Sequence, residues 1–90
     1  QEAVRLGIAL EVVEEGDVVD AALKLAGRIA RNGPSAVRWV KQVVDETEGR
    51  DAEAGMASER AHFALCFSTD DQSEGMAAFL EKRKATFSGR

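Results

Sequence analysis

The stretch Thr69-Asp70-Asp71-Gln72-Ser73-Glu74-Gly75-Met76-Ala77-Ala78-Phe79-Leu80-Glu81-Lys82-Arg83-Lys84 packs a helix start, an apolar face and a cationic end into about four turns. Thr69, Asp70 and Asp71 offer side-chain oxygens to the free N–H groups of a first helical turn. Met76, Ala77, Phe79 and Leu80 recur at helical spacing, and Lys82, Arg83 and Lys84 follow as a tight positive cluster. On a helix running through both, Phe79 and Lys82 share a face. Phe79 could then stack on a flat ring while Lys82 pairs with a phosphate. The competing reading buries Phe79 in a core and leaves the cations in water near the helix C-terminus, where the macrodipole suits them. Spacing alone favours this second reading.

Upstream, a run from about Ala52, capped by Asp51, to Phe67 reads as a helix with Met56, Phe63 and Phe67 as a bulky seam. Before it, Ala36 to Glu48 reads as a helix capped by Ser35 that buries Ala36, Val37, Val40, Val43 and Val44. Lys41 and Asp45 form an i,i+4 pair on it. Val18 to Asn32, with Asp17 as N-cap, carries an apolar stripe of Val19, Ala22, Leu23, Ala26, Ile29 and Ala30 and ends at Gly33-Pro34. Gly27 in its interior suggests a close helix crossing or, almost equally, a tolerated surface glycine. Ile8 to Val13, IALEVV, is the only β-favouring run and is expected to form one short strand or extended crossing, with the partners of a strand lying upstream or on another chain. Gly7 before it sits where a left-handed cap ends the helical stretch Gln1–Leu6. The expected architecture is mainly α, one short strand followed by about four helices joined by tight turns.

Composition bounds the rest. Ninety residues, 44% hydrophobic and 31% charged, fit one small globular domain or a piece of a larger one. The apolar residues are mostly Ala, Val and Leu, so a core built from them is thin and a partner is expected. The net charge of −4 argues against general nucleic-acid or anionic-membrane binding. Lys82 to Arg90 nonetheless holds four basic residues and no acid, which suits a small anionic ligand. Cys66 is the single cysteine, so a reducing, cytoplasmic setting is expected. No apolar run approaches a membrane span. The opening QEAVRLG, without an initiator Met, reads as the tail of a helix and points to a fragment.

Two other constellations carry less. Glu59, His62 and Cys66 lie at spacings of three and four, but a zinc site usually needs a fourth ligand that has no candidate, so no metal is expected. Helix–Asn32-Gly33-Pro34-Ser35–helix has the connection length of a helix-turn-helix, yet the second helix offers Arg38 and Lys41 followed by Asp45, Glu46 and Glu48, so no nucleic acid is expected. A serine–histidine–acid set and a glycine-rich phosphate loop are both absent, and no catalytic residue is assigned.

The run from Ser68 to Arg83 closely resembles the C-terminal signature of the crotonase superfamily, the enoyl-CoA hydratases and isomerases. The likeness extends to Ala3–Val13, to Ala26, Ile29-Ala30, Gly33-Pro34 and Lys41, and to Glu59, Phe63 and Phe67. Ala9 stands where the family often has Val, and Ala85-Thr86 where many members have Pro nearby. The resemblance implies the C-terminal trimerisation part of a crotonase-type ββα-spiral α/β enzyme. Residues 1–16 would end the spiral core, and residues 17–90 would form the helical trimerisation domain. It implies a homotrimer or hexamer acting on an acyl-CoA thioester in fatty acid metabolism, with coenzyme A as part of the substrate and no separate cofactor. Phe79 would contact the adenine of CoA, Lys82 a CoA phosphate, and Phe63 would line the acyl pocket. The family's oxyanion hole and paired glutamates would precede Gln1, and Glu2 and Glu59 match neither glutamate. Hydratase, a lyase activity, is the commonest reaction of such a tail. Isomerases share it, and a stand-alone helical oligomerisation module is the alternative of a different class.

Overall fold

Side-chain caps and a left-handed glycine set several of the helix ends. The computed structural model describes residues 1–90 as α1 (Glu2–Arg5), α2 (Val18–Ala30), α3 (Pro34–Thr47), α4 (Ala52–Cys66) and α5 (Asp70–Leu80). Asp51 caps α4, its carboxylate accepting the Ala54 N–H at 2.8 Å, and the Thr69 hydroxyl caps α5 by accepting the Gln72 N–H at 3.1 Å. Asn32 closes α2 by donating to the carbonyls of Arg28 and Ile29. Gly7, at φ +75°, ends α1 in the left-handed turn its sequence position suggested.

Other expectations are corrected. No strand forms over Ile8–Val13; the segment is irregular, with Ile8 77% and Leu10 70% exposed. A strand is defined by hydrogen bonds to a partner, and no second extended segment lies beside this one. Asp17 occupies the N-cap of α2 without a side-chain hydrogen bond. Ser35 is not the cap of α3. Gly33 is the N-cap, Pro34 takes the first turn, where its missing N–H leaves nothing unpaired, and Ser35 lies buried inside the helix. Gly27 meets nothing within 4 Å, so no helix crosses there.

Helices α3 and α4 form the one extensively packed pair, an antiparallel hairpin. Thr47 meets Gly55 at its closed end, beside the connecting loop, where an added Cβ would stand 3.4 Å from the threonine methyl. The whole is flattened, 42 × 37 × 19 Å, and only Ser35, Asp71 and Ala78 are buried. The apolar stripe of α2 faces out through Val19, Leu23 and Ile29, and Val40 and Val44 of α3 stand exposed rather than buried. Met56, Phe63 and Phe67 likewise line an open seam, the two phenylalanines meeting edge-to-face at 5.3 Å. Apolar patterning has been satisfied by helix formation but not by burial within these ninety residues.

Candidate ligand-contacting site

Helix α5 stops at Leu80, one turn earlier than its charge pattern suggested. Glu81 is the C-cap, and Lys82 follows at φ +54°, the only non-glycine residue with a left-handed backbone. The Lys82 N–H donates to the Phe79 carbonyl at 3.3 Å and the Arg83 N–H to the Ala78 carbonyl at 3.0 Å. This pair of bonds is a Schellman turn, which normally has glycine where Lys82 stands. Phe79 and Lys82 are therefore joined through a turn, not stacked on one helical face. Phe79 is 79% exposed, so within this chain it is not a core residue. Lys82, three residues on, is exposed and makes no ion pair.

Arg83 belongs to a different arrangement from its cationic neighbours. Its Nη1 and Nη2 donate to the two carboxylate oxygens of Glu74 at 2.7 and 2.9 Å, a bidentate fork, while Nε donates to Glu81. The Thr86 N–H adds a third bond to Glu74, at 2.7 Å. The Arg83 guanidinium, followed by the Thr86 amide, holds the Glu74 carboxyl down at about 2, and Glu74 in turn raises Arg83. Both groups stay ionised throughout the physiological range.

The chain after Arg83 folds back over the start of α5. Buried Asp71 accepts the N–H groups of Ser88 at 2.6 Å and Gly89 at 2.8 Å, together with the Ser88 hydroxyl at 3.2 Å. The Asp71 N–H returns a bond to the Arg90 carbonyl at 3.1 Å, and Ser35 donates to the Gly89 carbonyl at 3.2 Å. Phe87 lies against Gly75, where a Cβ would come within 3.5 Å of its ring. Gly89, at φ +82°, packs on Pro34. None of these long-range partners was identified from spacing. Glu74 and Arg83 sit nine apart, a separation meaningless on one helix and legible only once the helix ends at Leu80.

Phe63 lies away from this turn, on a groove of about 390 Å³ between α3 and α4. Trp39, Val40 and Val43 form one wall, and His62, Phe63 and Cys66 the other. His62 Nδ1 lies 2.9 Å from the Ser58 carbonyl oxygen, a contact suited to a protonated Nδ1. No cluster of three metal-ligating side chains is brought together here or elsewhere. Glu2 is paired with Arg5, which lowers its carboxyl, and Glu59 stands exposed on α4. No helix is long and apolar enough to cross a membrane.

With this geometry in view, the family model described as enoyl-CoA hydratase/isomerase matches residues 1–90. A crotonyl-CoA hydratase of Syntrophomonas wolfei is 45% identical over 86 residues, covering 96% of this chain and 33% of the relative. The 2,3-dehydroadipyl-CoA hydratase of Escherichia coli is 37% identical over 90 residues, covering the whole chain and 35% of the relative. Among solved structures, an enoyl-CoA hydratase from Bacillus anthracis superposes with a TM-score of 0.94 at 33% identity, over 100% of this chain and 35% of that one. The chain thus spans about a third of the length of the relatives it matches.

Proposed function

The chain belongs to the enoyl-CoA hydratase/isomerase family, and on that premise we propose that it is the C-terminal segment of an acyl-CoA enzyme, a hydratase adding water to a 2-enoyl-CoA. In this reading it supplies contacts to coenzyme A and surfaces for oligomerisation. Residues preceding Gln1 carry the oxyanion donors and acid–base groups. Phe79 stacks on the adenine, Lys82 pairs with a phosphate as a point charge, and Phe63 forms part of the acyl-pocket wall. Residues 1–16 are the end of the catalytic domain and residues 17–90 the helical domain that packs against other subunits.

The observation that carries the CoA contact is the exposure of Phe79, 79%, one turn before an unpaired, exposed lysine. An exposed aromatic three residues before an unpaired cation supplies the two recognition elements a nucleotide requires: a π-face and a compact positive charge. Outward-facing Val19, Leu23 and Ile29 on α2 support the oligomerisation role, because this apolar stripe needs cover from outside the ninety residues.

The test uses the full-length gene product with crotonyl-CoA and with crotonyl-pantetheine, which lacks the nucleotide. Phe79→Ala and Lys82→Ala should raise KM for the CoA ester, leave kcat near wild type and leave the pantetheine ester unaffected. The Lys82 variant should also lose salt sensitivity in KM. Equal effects on both esters, or none on either, would remove the nucleotide contact. The sequence upstream of Gln1 in the gene provides a second check: a start codon there would refute the segment reading.

A further inference from the structure

Lys82, at φ +54°, occupies the left-handed conformation that an L-residue enters against its steric preference. The same Schellman geometry ends α1, where the Gly7 N–H donates to Val4 at 3.0 Å and the Ile8 N–H to Ala3 at 2.8 Å, but glycine takes the left-handed position. A backbone held against its preference at one residue persists when its surroundings over-determine it, and such positions concentrate where a side chain must be presented in a fixed way. The surroundings here are specific. The residues immediately before and after Lys82, Glu81 and Arg83, are tied to each other through Nε of the guanidinium. Arg83 is then forked onto Glu74, which also takes the Thr86 N–H, so α5 and both flanks of Lys82 form one unit.

We infer that Glu74 and Arg83 are positioning residues for Lys82, bracing the turn that presents the lysine to the phosphates of the substrate's CoA moiety. This rests on the nucleotide contact proposed above and adds to it. Arg83 is not itself a phosphate ligand. Its guanidinium makes four hydrogen bonds, two to Glu74, one to Glu81 and one to the Lys84 carbonyl at 3.3 Å. The ionised state of both partners keeps the brace closed wherever the enzyme works, since Glu74 titrates only at about 2. One cation of the cluster is thus structural, and its neighbour is left free with a defined backbone.

The experiment is a double-mutant cycle in the full-length gene product, read as kcat, KM for crotonyl-CoA at low and high salt, and thermal midpoint. Glu74→Gln should raise KM several-fold with kcat preserved and should flatten its salt dependence, as Lys82→Ala does. In the double variant KM should rise no further than in Lys82→Ala alone, because a brace has no effect once the lysine it presents is gone. Arg83→Lys keeps the charge but loses the fork, so it should behave as Glu74→Gln does; it also serves if the glutamine variant fails to fold. A wild-type KM for Arg83→Lys would make Arg83 a plain charge and overturn the inference. So would a normal KM in Glu74→Gln beside a raised one in Lys82→Ala, or rises that multiply in the double variant; in either case the nucleotide contact stands. An unchanged KM in Lys82→Ala overturns that contact and this inference with it.

Discussion

Asp71 accepts the backbone N–H of Gly89 at 2.8 Å, a bond between the first turn of α5 and the last residues of the chain. With the two bonds from Ser88 it makes a buried carboxylate the anchor of the C-terminal tail. The tail in turn covers Gly33 and Pro34 at the start of α3, so one side chain joins the two ends of the helical hairpin's neighbourhood.

Asp71→Ala is expected to free this tail. It removes an acceptor shared by three donors, one of the situations in which a single truncation costs about 1.5–3 kcal/mol. Amide hydrogen exchange at Ser88 and Gly89 should accelerate toward random-coil rates while α4 stays protected. Retained protection at both amides would show that packing of Phe87, rather than the carboxylate, holds the tail.

Acid should open the Glu74–Arg83 brace late. Because the folded-state carboxyl is lowered from its ordinary 4.5 to about 2, the stabilisation it provides is fully present above 4.5 and is lost as pH falls through 2. Limited pepsin cleavage at Phe87 in the tail, normalised at each pH to cleavage of an unstructured control peptide, should rise steeply across that window in wild type and show a flatter profile in Glu74→Gln. Identical profiles would mean that some other carboxylate governs tail release.

The two Schellman turns predict opposite substitutions. Gly7→Ala places a Cβ at φ +75° and should lower stability by about 1 kcal/mol. Lys82→Gly relieves the same conformation and should raise stability by about 0.5–1 kcal/mol, even as it removes the ammonium group. Urea midpoints of the full-length gene product at unchanged m-value provide the comparison. A destabilised Lys82→Gly variant would show that the lysine side chain contributes more to the fold than its backbone subtracts.

With apolar faces open on α2, α3 and α4, the isolated ninety-residue chain should be helical by far-UV circular dichroism yet bind a hydrophobic dye and melt without a sharp transition. It should also show no hydration of crotonyl-CoA. The full-length product should lose the dye binding and melt cooperatively. A sharp transition in the isolated chain would indicate a self-sufficient module, the alternative of a different class.

Local chemistry was legible from residues alone. Asp51 and Thr69 cap the helices they precede, Gly7 turns left-handed, and Lys41 meets Asp45 at 3.2 Å, because each relationship spans at most four residues. The signature from Ser68 to Arg83 likewise identified the family through its order of residues. Tertiary structure decided what depends on distant partners. Ile8–Val13 has strand chemistry but no strand to pair with, and an unpaired backbone ladder is not a strand. Ser35 left its expected capping role for the Gly89 carbonyl, which lies 54 residues away. The cationic cluster divided between a braced Arg83 and a free Lys82 because the helix ended at Leu80, bringing Glu74 within reach of the returning chain. Periodicity could place all three charges at the end of α5; it could not say which one would be neutralised, since that depends on where the backbone turns.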